Sequence, residues 1–517
     1  MDEKIRVAIV VDRPRISAAA EKQVLFGWDY EFIVGKLRKV GLPESFVVYM
    51  SAKDPDACIR QLNLYPNLTV VVPLGEAPLK LLTGHKSITK WQLSPLDTLP
   101  LLHCRKAIPT FHPDAVKKDF ALGLYVEMAL RRAREEMQTK EYVRKPKRFL
   151  LNPHIEETFD VLDKLEKLGK DDWLSVDIET GRGLINTVGF AWTVSDAIAI
   201  QTLPSRGLSA ESFHKLWLQI SRILAGPSKK VMQNGIYEKT YFARYGISIE
   251  NFAHDSMVAQ KYLWPEFPKG LDNVGRFYTN EIYWKDSGRV ESEEGKRKDW
   301  GDIKEWSRHL AYNCNDTSGT LEATLNQRAD MEARGMLGFF DNYLMQLHPF
   351  MSEMCLRGLP VCQTMQAMLI AETEAKIVDL TAGLTMQFKK AKKQISAVTR
   401  AQKMKLFRDK GYTIPRVLDP ETKLYRESVD ELSMKKMLQK HPGDTDIPKL
   451  LKISEYEKAL SSYFKVELDP FTKNVHCMMD IHGTETGRWS ATTDAWSRGM
   501  NTQTMPKYVK KMVRWTA

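Results

Sequence analysis

Three short stretches carry the side chains best suited to chemistry. The first is Ser175-Val176-Asp177-Ile178-Glu179-Thr180. On a strand, alternation puts Asp177 and Glu179 on the same face. Two carboxylates held that close repel each other unless a cation sits between them. Oxygen-only ligands suit Mg2+ or Mn2+. Alone, a D-x-E at a strand end is more often a solvated edge. The second stretch is Gln233-Asn234-Gly235-Ile236-Tyr237-Glu238, followed by Lys239-Thr240-Tyr241-Phe242. The third is Tyr312-Asn313-Cys314-Asn315-Asp316. On a helix, Tyr312 and Asp316 are four residues apart and share a face. Order, spacing and strand or helix context together are far more specific than any one piece.

The elements that must position these groups are legible in the pattern. Trp173 to Ile178, Asn186 to Thr193 and Ala197 to Leu203 read as strands with short turns between them, so an antiparallel meander is expected. A helix before them is expected to open at Asn152-Pro153, a cap and first-turn pair. After Leu203 the pattern turns helical to about residue 325, and from 340 to 465 it stays mostly helical. Upstream, residues 5–11 and 68–75 read as buried strands and 114–138 as one helix with an apolar stripe, which suggests an α/β domain. Residues 139–150 concentrate Lys and Arg around one Pro and read as a linker. Val475 to Ile481 reads as a strand. No internal repeat or low-complexity tract is visible.

Length and composition set the outer bounds. The chain has 517 residues, which suggests about three domains. Hydrophobic residues make up 43% and charged residues 27%, both ordinary for soluble globular chains. No apolar run approaches the ~20 residues needed to span a bilayer, so no membrane partner is expected. The polar start Met1-Asp2-Glu3-Lys4 is not a secretory signal. Six scattered cysteines form no C-x-x-C pair, which argues against a zinc ribbon and suits a reducing, cytoplasmic setting. A net charge of +11 suits a polyanionic partner such as nucleic acid, and equally a merely soluble surface.

The carboxylate set resembles the proofreading exonuclease domain of family A DNA polymerases. That family carries D-x-E on a first strand, N-x-x-x-D on a helix and Y-x-x-x-D on a later helix. The resemblance covers about residues 146–335. It includes His254-Asp255-Ser256-Met257, similar to the family's D-T-M segment, and the phage-like stretch Leu263 to Leu271. It implies an RNase H-like fold and two divalent ions, Mg2+ or Mn2+, about 3.5–4 Å apart on the 3′-terminal phosphate. Asp177 would bridge both ions, Glu179 and Asp316 would complete the set, and Glu238 would act from the outer side. Tyr312, with Glu179, would orient the attacking water. Asn234 would touch the DNA. One departure is that the family's second-motif Asp is Glu238 here, which reaches about one C–C bond further. Asp255 is the nearest alternative carboxylate, and the family pattern gives it a structural role.

Residues 484–506 look like the family A segment T-G-R-x-S-S … N-L-Q-N-I-P. Thr486, Gly487, Arg488, Ser490, Asn501, Gln503 and Pro506 match, while Thr502 and Thr504 depart from it. The resemblance gives Arg488, Asn501 and Gln503 contacts to primer–template DNA, since Arg and amide side chains supply such donors. Ser454 to Phe464 resembles the thumb helix that precedes this segment. Between Gln387 and Lys410 lie nine Lys or Arg and one acid, Asp409. Taken alone that run is more often a solvated face. In the family context Lys389, Lys390, Lys392 and Lys393 would grip duplex phosphates. In that family the first catalytic Asp of the palm follows shortly after the point reached at Val513-Arg514-Trp515-Thr516-Ala517. The resemblance therefore implies no complete polymerase site in this chain, and a second chain carrying the rest of palm and fingers. A split gene, an intron whose read-through encodes the last few residues, and a shortened chain remain the alternatives.

Roughly residues 1–137 are similar to the uracil-DNA glycosylase superfamily. The later motifs carry this, Val71 to Trp91 and the loop Ile108-Pro-Thr-Phe-His112-Pro113-Asp114. The water-positioning loop corresponds to Val11-Asp12-Arg13-Pro14-Arg15, and the uracil-reading Asn falls near Ser51. A glycosylase reads the flipped base with a positioned amide. Lacking it, this domain is expected to bind DNA or act as a scaffold.

The sequence thus predicts a multidomain α/β chain. Its parts are a glycosylase-like α/β domain (1–138), a basic linker (139–150), an RNase H-like exonuclease domain (151–335), and a mostly helical polymerase thumb with an incomplete palm (336–517). The expected function is 3′→5′ proofreading within a split or interrupted family A polymerase, of a phage type, in a host cytoplasm. The rival reading is a non-catalytic DNA-binding subunit that assembles with a separate polymerase chain.

Overall fold

Val7–Val11 has only apolar side chains, and all five are buried. Successive residues serve two cores. Val7, Ile9 and Val11 pack with the helices Gly27–Val40 and Leu122–Glu136. Ala8 and Val10 pack with the helices Pro55–Asn63 and Glu76–Thr83. A strand covered on both faces should read as a continuous apolar run, and this one does. The structure is a computed structural model. It describes residues 3–12, 24–103, 105–142, 144–285, 306–385, 398–419, 424–481, 483–484 and 486–513. It divides into two compact units, Met1–His348 and Pro349–Ala517.

The first unit holds two sheets. One has the order β2-β1-β3-β5-β4, with β1 Val7–Val11, β2 Val47–Ser51, β3 Val70–Leu74, β4 Leu96–Asp97 and β5 Lys106–Ala107. β2, β1, β3 and β5 run parallel and β4 is antiparallel. The single helix expected over 114–138 is two, Pro113–Lys118 and Leu122–Glu136. Asp119 breaks them: its backbone is extended and its Oδ1 accepts from the Ala121 amide. The basic stretch 139–150 is pinned at both ends. Tyr142 is buried with its hydroxyl on the Ala107 carbonyl, and Arg144 pairs with Asp97 at 2.7 Å. Its last residues enter the next sheet.

That second sheet has the order β11-β10-β7-β8-β9-β6. Its strands are β6 Arg148–Leu151, β7 Trp173–Gly181, β8 Leu184–Ala191, β9 Asp196–Gln201, β10 Lys229–Met232 and β11 Phe252–Asp255. β7, β8 and β9 form the antiparallel meander. Arg182 and Gly183, both at positive φ, make the two-residue turn that joins β7 to β8. β10 pairs parallel with β7, β11 with β10, and β6 with β9. The helix expected to open at Asn152-Pro153 starts later, at Ile155–Glu166, with His154 at the cap position. Asn152 sits at φ +50° and its side chain accepts from the Gln201 amide, so it turns the chain out of β6.

The helix Trp306–Ala333 lies over the face of β7, β8 and β9 that carries Asp177 and Glu179. Small side chains make room for it: Ala191, Ala197 and Ala199 on the strands and Cys314 on the helix share one core cluster.

The second unit is built mainly of the helices Gln363–Ala382, Arg400–Asp409, Glu431–Lys440 and Asp446–Ala459 around one core that includes Phe407, Leu450, Ile453 and Phe464. A hairpin of Arg416–Leu418 and Tyr425–Glu427 interrupts the helices. The single strand expected at Val475–Ile481 is two short ones. Asn474–Val475 pairs with Leu359–Pro360, and Met478–Asp480 pairs with Ser490–Thr492. His476 between them gives its carbonyl to the Met500 amide, so the chain changes partners there. Among the described residues, no helix is long and apolar enough to cross a membrane.

Candidate active site

Alternation along β7 buries Leu174, Val176 and Ile178 and turns Asp177 and Glu179 to the face under the long helix. Gly189 of β8 stands opposite Asp177. A Cβ at Gly189 would overlap the Asn313 side chain of that helix. The glycine therefore lets the helix descend until Asn313 Nδ2 donates to Asp177 Oδ2 at 2.7 Å. Three residues on, Asp316 arrives beside both strand carboxylates. Asp177, Glu179 and Asp316 each present an oxygen within 4.8 Å of the others.

The electrostatics of this group are strained. Burial, then the charge of Asp316, pushes the Asp177 carboxyl up to about 8. Burial, then Asp177, pushes Glu179 well above the usual range. Mutually repelling, partly desolvated carboxylates are relieved by a cation. The donor set is all hard oxygen, so the residues fit a divalent ion such as Mg2+ or Mn2+.

Glu238 stands in the first turn of the helix Ile236–Arg244, outside that close group. It is buried, and its Oε2 has no hydrogen-bond partner among the described residues. Burial, then Asp177, raises its pKa well above the usual value. Asp255 has a different task. Its carboxylate accepts from the amides of Asn234 and Gly235 at 3.1 and 2.9 Å and from those of Met257 and Val258, joining the turn before Glu238 to the next helix. Asn234 makes that turn at φ +64°.

Tyr312 lies one helical turn before Asp316. Burial and the nearby carboxylates raise its phenol above the ordinary range, so it stays protonated at neutral pH. Two residues invisible to motif reading complete the group. Trp284 Nε1 donates to Asp316 Oδ1 at 2.6 Å. Lys285 Nζ donates to Asp316 Oδ2 at 2.6 Å and to Tyr312 Oη at 2.8 Å. Burial works against the Lys285 charge, yet Asp316 beside it keeps its pKa above the usual lysine value.

The second unit carries the other expected DNA contacts. Arg488 and Gln503 are exposed. Asn501 spends its side-chain oxygen on the amides of Gln503 and Thr504, forming a local turn. Lys389, Lys390, Lys392 and Lys393 lie outside the described residues, as do Arg13 to Arg15 and Arg514 to Ala517.

No family model and no curated protein matches the sequence. Among solved structures, the chain is similar to the polymerase domain of Pol1 from M. smegmatis, in complex with DNA primer-template and dNTP. The identity is 15% and the TM-score 0.47, over 70% of this chain and 57% of that one. The chain thus spans a little over half the length of that structure.

Proposed function

We propose that this chain is a metal-dependent 3′→5′ DNA exonuclease, serving as the proofreading part of a family A polymerase. The observation that carries the reading is the convergence of Asp177, Glu179 and Asp316 within 4.8 Å, from a strand and a helix far apart in sequence. Asp177, Glu179 and Asp316 would hold the divalent ions, with Glu238 on the outer side. When bound, such an ion polarises the scissile phosphate and lowers the pKa of water. Asn313 orients Asp177 through its amide. Tyr312, kept neutral, offers a hydrogen bond to the attacking water and, with Glu179, would orient it.

The resemblance in sequence also supports DNA contacts for Asn234, Arg488, Asn501, Gln503 and the lysines 389–393. The test is a single DNA strand labelled so that loss of the 3′ nucleotide is seen, incubated with Mg2+ or Mn2+ and with EDTA. Stepwise shortening that needs metal and vanishes in Asp177→Ala is expected. An intact strand with either metal, alongside retained DNA binding, would favour the non-catalytic rival.

A further inference from the structure

A polar cavity lies where the helix Leu122–Glu136 meets the helices Leu271–Tyr278 and Trp306–Ala333. It holds about 200 Å3, far above the ~15 Å3 that one water needs. Three guanidinium groups line it, those of Arg131, Arg132 and Arg276. Arg132 donates to the carbonyl oxygens of Leu93, Arg276 and Thr279 and to Asn280 Oδ1. These partners carry no charge, so the charge of Arg132 stays unmatched. Arg276 is buried and lies 3.8 Å from Asp272. Arg131 Nε is buried and has no hydrogen-bond partner among the described residues. A buried donor without an acceptor is costly.

Two acids on the same walls are engaged elsewhere. Glu136 pairs with the buried Lys106 at 2.6 Å, and Glu135 stands 3.7 Å from Arg134. Glu322 differs from them. Its Oε2 is buried without a hydrogen bond, 3.8 Å from the Lys147 ammonium. The cavity therefore offers an unmet donor on Arg131 and an unmet acceptor on Glu322. Leu93, Met128 and Phe277 add apolar wall. A fork of N–H donors suits a phosphate. The Glu322 oxygen needs a hydrogen-bond donor on the same ligand. A backbone diester of DNA has no hydroxyl beside its phosphate, whereas a free nucleoside monophosphate has one on its sugar.

We infer that this cavity binds a free nucleoside 5′-monophosphate, its phosphate on Arg131 and the neighbouring arginines and its sugar hydroxyl on Glu322. The ligand is of the class that the exonuclease reading would release. Yet Asp177, Glu179 and Asp316 do not line the cavity, so this binding stands or falls apart from that reading.

The experiment measures binding of labelled deoxyadenosine 5′-monophosphate to the full chain by equilibrium dialysis. EDTA is present throughout, so no divalent ion draws the nucleotide to the carboxylates. Wild type should bind the nucleotide saturably and should not bind unphosphorylated deoxyadenosine. Asp177→Ala should bind the nucleotide as wild type does. Arg131→Met should keep the circular dichroism of wild type and bind about tenfold more weakly, or worse. The 2′,3′-dideoxy nucleotide, which lacks the hydroxyl, should bind wild type about three- to tenfold more weakly. Glu322→Ala should no longer distinguish the two nucleotides. The dideoxy comparison is made in the unaltered chain, so it decides the matter even if Arg131→Met does not fold. Wild type that binds no nucleotide, or Arg131→Met that binds it equally well, would overturn the inference. Loss of binding in Asp177→Ala would overturn it too, by putting the nucleotide among the carboxylates. So would a DNA strand held through Arg131 where the mononucleotide is not, since a backbone phosphate would then fill the cavity. Nucleotide binding by a chain that shortens no DNA would keep the inference while the exonuclease reading falls.

Discussion

Asp177 is the residue on which the site turns, because it faces Asp316 and Glu179 and is held by Asn313. Asp177→Ala removes a charged ligand at the centre of the group. A loss of about a thousandfold or more in single-strand shortening is expected, roughly 4 kcal/mol of transition-state stabilisation. Tyr312→Phe should slow the reaction about ten- to a hundredfold while Mn2+ and DNA binding hold, which separates a water-orienting role from a structural one. Glu238→Asp should keep or raise the rate, as measured in the same assay, since its carboxylate is outside the close group. The carboxylates also set a pH dependence. Asp177 ionises near 8 in the folded chain against an ordinary 3.8. The folded state then binds more protons between those values, so stability is full at low pH and falls as pH rises toward about 8. Thermal melting in EDTA should show that decline, and saturating Mn2+ should flatten it, because the ion needs the ionised carboxylates. A melting temperature in EDTA that rises over the same range would contradict the placement of Asp177. Asp177, Glu179, Tyr312 and Asp316 were legible because strand and helix periods put them on common faces. Trp284 and Lys285 were not, because they lie in an irregular stretch with no period to read.

At the scale of elements, the approach of one helix to one sheet decides whether the site exists. The helix Trp306–Ala333 comes close at Asn313 only because Gly189 has no side chain. Gly189→Ala forces Asn313 or the helix outward. We expect a stability loss on the order of 1–3 kcal/mol, seen as a lower denaturant midpoint at unchanged slope. Weaker Mn2+ binding should accompany it, since Asp316 moves with the helix. Normal Mn2+ affinity in Gly189→Ala would show that the close approach is unnecessary. The meander was legible, as its apolar alternation extends over whole strands, whereas the helical reading from Leu203 to about 325 hid the short strands Lys229–Met232 and Phe252–Asp255. Boundaries were misread where a polar side chain bonds locally against its propensity. Asn152 looked like a helix cap but turns the chain toward Gln201, and Asp119 interrupts a continuous apolar stripe. The split of Val475–Ile481 was hidden for another reason: alternation shows that a segment is extended, not which neighbour each half pairs with.

At the scale of the whole molecule, a surplus of +11 charges predicts DNA binding that weakens steeply with salt, in a linear log–log relation whose slope counts neutralised phosphates. Replacing Lys389, Lys390, Lys392 and Lys393 by Gln should flatten that slope and leave metal binding unchanged. A slope identical to wild type would place the DNA elsewhere. The other sheet of the first unit poses the sharper question, whether the sequence resemblance to uracil-DNA glycosylases extends to their chemistry. Its parallel strands end together: Val11 stands opposite Ser51 on one side and Leu74 on the other, and Leu74 bridges to Thr110. Asp12, Ser51, Gly75 and His112 therefore share the carboxyl edge of the sheet, where open α/β sheets place ligands. The groups present there are engaged in local turns. The Ser51 hydroxyl donates to the Asp12 carbonyl and accepts from the Lys53 amide. His112 Nδ1 accepts from the Asp114 amide and caps the helix Pro113–Lys118. Burial lowers the His112 pKa, so the ring is neutral at pH 7 and brings no positive charge to a departing base. Reading uracil needs an amide that pairs with its edge, and a hydroxyl already committed to the backbone cannot replace it. Incubation with uracil-containing single and double strands should therefore give no abasic product after alkaline cleavage. Robust excision that disappears in His112→Ala would show that the edge is catalytic after all.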